Sequence, residues 1–197
     1  MSRRLVYCVF LLAPSAALAH SPIKDIGAFY GGLLHPLFIL PHVLLLGALG
    51  LMLAQQQSVE NKLPLLMFLT CVVAGLTIAG HSSGGDFTTM QLVTSVIIGL
   101  LVAIQPTIPL FLRAVSGAVA GLLVGVDSGQ SELASAALFA SLVGTWLGMC
   151  ILLLCTMGAA DYMKGKTWQK IGVRIIGSWI TASALLVLSL SLSPLKA

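Results

Sequence analysis

Apolar residues run along this chain in six long stretches, each closed by a short polar segment. They cover Leu34–Ala54, Leu63–Ala79, Met90–Ile104, Pro109–Val126, Leu133–Met157 and Ile171–Leu192. A membrane-spanning helix needs about 20 apolar residues, whereas a barrel strand alternates over about 10. The runs therefore predict helices, with the third short for a full crossing. Gln105-Pro106-Thr107-Ile108 joins the third and fourth runs tightly, and Gly80–Thr88 and Asp127–Glu132 read as polar turns. Gly117-x-x-x-Gly121 and Gly144-x-x-x-Gly148 permit close helix contact. The expected fold is all-α: a polytopic, six-transmembrane-helix bundle forming one domain over residues 20–197.

The segment ahead of these runs has another character. Arg3 and Arg4 precede a short apolar stretch, Leu5–Leu12, which Pro14 ends, and Ala17-Leu18-Ala19 forms an A-x-A site. This is the pattern of a signal peptide over residues 1–19 that is cleaved to leave His20 at the mature N-terminus.

Composition agrees with a membrane protein. The chain is 58% hydrophobic and 8% charged, with mean hydropathy +1.04, against about 25% charged residues in a soluble domain. No basic, aromatic surface of the kind nucleic acid requires is present. Cys71, Cys150 and Cys155 all lie in apolar runs, with no C-x-x-C pair among them, and read as small buried hydrophobes.

Charge placement predicts orientation. Lys164, Lys166, Lys170 and Arg174 cluster at one end, joined by Lys62 and Arg113. By the positive-inside rule that end is cytoplasmic and both mature termini are periplasmic, in a bacterial inner membrane. Snorkelling to the cytoplasmic surface accounts for Arg113, and Trp168 suits an interface anchor. All four histidines then fall at or near the opposite, external end, with Asp86 and Asp127. Carboxylates that attract a cation and neutral imidazoles that bind it are what an external ion-collecting mouth needs.

Within that set, His35 and His42 lie seven residues apart, almost two turns, and so on nearly one face of a helix. They are the leading candidate metal ligands. Pro36 suits a first helical turn. Pro41 removes a backbone donor and frees the carbonyl of Leu37. His20, as a mature N-terminus, would offer an amine and an imidazole together, a chelate suited to copper or nickel. His81 and Asp86 flank a Ser-Ser-Gly-Gly loop and are further candidates. Asp86 also reads as a cap for the third helix. Asp127 is a candidate oxygen ligand.

The segment Phe29-Tyr-Gly-Gly-Leu-Leu-His-Pro-Leu-Phe-Ile-Leu-Pro-His-Val-Leu-Leu-Leu resembles the opening of the HupE/UreJ family of hydrogenase and urease accessory membrane proteins. Ser95-Val-Ile-Ile-Gly-Leu-Leu-Val-Ala is similar to that family's third helix, and Val173-Arg-Ile-Ile-Gly-Ser-Trp-Ile-Thr-Ala-Ser to its last. The resemblance implies a small permease for nickel or cobalt, with His35 and His42 in the first-span metal motif. The chain departs from the family at three places. Pro41 stands where the family has an Asp before the second histidine. Val124 and Ser128, within Gly121-Leu-Leu-Val-Gly-Val-Asp-Ser-Gly129, stand where it has histidines. A family histidine in the fifth span has no counterpart around Ser141–Leu147.

Two functions follow as expectations. One is a divalent-metal permease for nickel or cobalt, with copper as a further candidate. The other is a non-transporting subunit, metal sensor or chaperone associated with a metalloenzyme complex. An enzyme is not expected: no nucleophile–base pair, nucleotide loop or H-E-x-x-H helix occurs.

Overall fold

The computed structural model describes residues 27–56, 58–81, 87–129 and 135–192. Among them are seven α-helices and no strand. In chain order these are α1 (Gly27–Phe38), α2 (Leu40–Gln55), α3 (Lys62–His81), α4 (Thr88–Ile104), α5 (Leu110–Asp127), α6 (Ser135–Tyr162) and α7 (Thr167–Leu192). A 3-10 turn, Ser58–Asn61, leads into α3. The signal segment lies outside the described residues.

Four of these helices (α3, α5, α6 and α7) are long and apolar enough to cross a membrane. A fifth crossing arises if α1 and α2 count as one broken span. The 17 residues of α4 extend only about 25 Å, short of the ~30 Å hydrocarbon core.

The first apolar run departs from expectation. It is not one helix: the chain bends by 73° between α1 and α2, with Ile39 extended at φ −100°, ψ 106°. Pro41 sits in the first turn of α2, where its missing N–H costs nothing. A straight helix through Leu37 would need that N–H, so the break falls where the donor is lost.

The central element is α2. It is apolar on all sides, and every residue from Leu44 to Ala54 is buried, as expected of a helix enclosed by others. Three helix pairs surround it: α3 with α5, α1 with α6, and α4 with α7. Each pair closes on glycine. A side chain at Gly121 would run into the Phe68 carbonyl of α3 and lie 3.1 Å from Val72 N. One at Gly144 would lie 2.9 Å from Leu33 N on α1, and one at Gly177 2.7 Å from Val102 on α4. The small-residue motifs on α5 and α6 are thus packing devices, and Gly125 extends the α5 series by another turn.

Large apolar side chains cover the outside, among them Ile97, Phe111, Ile151, Leu154, Leu186 and Leu190. Exposed apolar surface on every outer helix fits lipid as the solvent. Arg113 corrects the snorkelling expectation. It is 3% exposed, ion-paired with Glu60 and bonded through Nη1 to Asn61 Oδ1 at 3.3 Å. Asn61 Nδ2 donates to the Leu53 carbonyl at 2.7 Å, so this network fastens the 3-10 turn to α5 and to the end of α2.

Candidate metal centre

At the opposite end of the bundle, the 73° bend places His35 in the last turn of α1 and His42 in the first turn of α2. Along a straight helix, seven residues would separate them by about 10 Å. Here the two ring centroids are 5.8 Å apart, with planes at 63°. Sequence spacing correctly paired them, but the geometry comes from the break and not from a shared helical face.

Asp127 ends α5 and closes on the pair. Its Oδ2 lies 3.1 Å from His42 Nε2, while its Oδ1 accepts the backbone N–H of Phe87 at 3.3 Å. A carboxylate at a helix C-terminus is disfavoured by its own helix dipole. This one is offset by facing the starts of α2 and α4, whose N-terminal dipole ends favour an anion.

In the His42–Asp127 contact the carboxylate accepts and Nε2 of His42 donates, so the neutral form of this ring carries its bare lone pair on Nδ1. His42 is fully buried, and that Nδ1 has no hydrogen-bond partner. His35 Nε2 is likewise buried and unpartnered. Two orphaned imidazole nitrogens in one place are costly. A transition-metal ion would satisfy both. With metal–nitrogen bonds of about 2.1 Å, two rings sharing one ion have centroids roughly 4.5–6.4 Å apart, and the observed separation lies in that range. Asp127 behind His42 then completes a carboxylate–histidine arrangement that orients a ligand ring and raises its basicity. The sequence suggested Asp127 as an oxygen ligand; here its two oxygens meet His42 Nε2 and the Phe87 N–H.

Gln91 of α4 was not singled out from the sequence. It is fully buried, its Nε2 donates to the Leu123 carbonyl at 3.3 Å, and its Oε1 is left without a donor. A lone neutral amide in an apolar run carries a weak signal. Its position one turn into α4, beyond a polar turn, is the feature that could have found it.

The other candidates divide. His20 and Asp86 lie outside the described residues. His81 ends α3, which runs parallel to α5 and so finishes at the same end of the bundle as Asp127, but its side chain is not described. Among the described residues no three His, Cys, Asp or Glu side chains converge in a metal-holding group. Val124 is fully buried in the core, and the Ser128 hydroxyl donates to the Val124 carbonyl at 2.7 Å.

The HupE / UreJ protein family model matches residues 8–187. No curated protein and no solved structure matches the chain. With nearly the whole chain covered, and the His-Pro motif placed at the broken first span, the protein belongs to the HupE/UreJ family, whose members are transporters and accessory membrane proteins and not enzymes.

Proposed function

We propose that the protein is a membrane permease for a divalent transition-metal ion, nickel or cobalt first and copper as a further candidate. The observation that carries this reading is two buried, unpartnered nitrogens, His35 Nε2 and His42 Nδ1, on rings whose centroids are 5.8 Å apart, with Asp127 bonded to the second ring. The family's link to nickel and cobalt uptake for hydrogenase and urease supports the choice of metal. Imidazole suits nickel, cobalt and copper alike. His20, His81 and Asp86 complete the external ligand set in this proposal.

In this reading α4 is the sixth crossing, accommodated by local thinning of the bilayer. The lysine-rich end faces the cytoplasm of a bacterium and the histidine end faces the periplasm. The ion meets carboxylate and imidazole at the mouth and binds once it has shed water. Uptake of radioactive nickel by proteoliposomes tests the proposal: accumulation lost in His35→Ala and His42→Ala supports it.

A second reading has its own observation. Beneath His42, α2 is apolar and closely packed from Leu44 to Ala54, and ion paths normally need polar groups at depth. A non-transporting metal sensor, chaperone or partner of a metalloenzyme would keep the mouth without the path. Nickel binding without accumulation identifies that case.

A further inference from the structure

At the lysine-rich end, far from the histidines, lies a cavity of about 310 Å³. Its polar walls are Gln55 and Gln56 from the end of α2, Gln105 and Thr107 from the α4–α5 connection, Lys164 after α6 and Lys170 in α7. The metal-binding reading uses none of these groups.

The cavity is rigidly built. Gln55 Nε2 donates to the Val102 carbonyl at 3.0 Å. Gln56 Nε2 donates to the Pro106 carbonyl at 3.1 Å, and its Oε1 accepts the Ile108 N–H at 3.2 Å. Arg174 Nε holds the Ala103 carbonyl at 2.7 Å. Gln105 adopts the left-handed region at φ 59°, a conformation that side chains other than Gly and Asn seldom take. Side-chain-to-backbone bonds therefore hold the two glutamines of the wall in place.

Its electrostatics select an anion. Lys164 is satisfied by Asp161 at 2.6 Å and reaches the Gln56 carbonyl at 3.5 Å. The Lys170 amine has no such partner among the described residues, and it stands in the first turn of α7, where the helix dipole disfavours a cation. A bound anion would offset both the free ammonium and the positive helix end. Deeper in, Gln55 Oε1 is buried and lacks a donor. The occupant must therefore present a negative group to the lysine and a hydroxyl or ammonium donor to the amide.

Depth narrows the source. Tyr162 and Trp168 flank the cavity's lysines, 86% and 65% exposed, and exposed Tyr and Trp mark the headgroup level of a bilayer. Ala160, Met163 and Val173 supply an apolar lining beside the polar one. Basic pockets between membrane helices at this level take acidic headgroups.

We infer that this cavity is a binding site for an acidic phospholipid, with the phosphate on Lys170 and a headgroup hydroxyl donating to Gln55 Oε1. Phosphatidylglycerol is the simplest lipid with both groups. The shared phosphate chemistry would also admit a soluble phosphate, which the experiment separates.

The test is native mass spectrometry of the full-length protein in detergent, titrated with phosphatidylglycerol, phosphatidylcholine, inorganic phosphate and glycerol phosphate. Lys170→Gln is compared with Lys166→Gln, which removes a nearby exposed charge outside the cavity. The expected result is retention of one phosphatidylglycerol in preference to phosphatidylcholine, weakened about fivefold by Lys170→Gln and unchanged by Lys166→Gln. Equal retention of the two lipids, or equal losses in the two variants, overturns the site. Displacement of the lipid by millimolar phosphate or glycerol phosphate overturns the lipid assignment in favour of a soluble ligand. Thermal melting of each variant verifies that a lost lipid is not a lost fold.

Discussion

His42 and Asp127 stand 85 residues apart in the chain and 3.1 Å apart in the structure. The carboxylate that meets the imidazole comes from the end of α5, not from a neighbour in the chain, and it leaves that ring's Nδ1 without a partner.

If Asp127 orients His42, its removal weakens metal binding without abolishing it. Asp127→Ala is expected to lower nickel affinity by about 10–100-fold, and Asp127→Asn by less, because an amide oxygen can still accept the Nε2 proton. Calorimetric titration of the purified protein reads both. An unchanged affinity in Asp127→Ala would remove the orienting role.

The break at Ile39 is expected to matter as much as the ligands themselves. Pro41→Ala restores the N–H that a continuous helix needs and favours a straighter span, with His35 and His42 carried apart. Copper(II) bound to the unaltered protein should show nitrogen couplings from two imidazoles by electron paramagnetic resonance. Pro41→Ala should reduce this to one although both histidines remain.

The helix pairs make a contrast among glycines. Gly121→Ala forces a methyl against the Phe68 backbone, and Gly144→Ala one against α1. Each should cost about 1–3 kcal/mol by overpacking. Gly158→Ala meets open space and should be neutral or slightly stabilising through better helix propensity. Unfolding in mixed micelles checks all three.

Glu60 is the counter-ion of a nearly buried arginine. Glu60→Gln leaves Arg113 with Asn61 and the weakened pair, and its Nε already lacks a partner. Because Glu60 is itself 47% exposed, solvent screens part of the interaction. A loss of about 1–2 kcal/mol is expected, at the low end for hydrogen bonds to a charged group. Arg113→Met, which removes the buried charge outright, should be tolerated better than the buried-ion argument for a paired group would suggest. Chemical unfolding of the two variants side by side measures the difference.

The helices from α3 onward were legible because each is a single apolar run bounded by polar or proline-containing turns, and their observed ends fall within about five residues of the run ends. The glycine pairs were legible for the same local reason. The broken first span was not. Pro36 reads as a helix start but lies inside α1 near its end, while Pro41 opens α2, and α1 is held apart by packing along α6 through Gly32, Gly144 and Gly148. Spacing brought His35 and His42 together, but the contact of Asp127 with His42 depends on how α5 meets α2, which no local pattern encodes. Arg113 was misread because the partners that bury it, Glu60 and Asn61, lie 53 and 52 residues away.

The most direct test of the central claim is nickel-edge X-ray absorption on the purified, nickel-loaded protein and its His35→Ala and His42→Ala variants. One ion per chain with two imidazole scatterers, falling to one or to no bound ion in either variant, is the predicted result. Nickel retained with an unchanged spectrum in both variants, or no nickel retained by the unaltered protein, would contradict it.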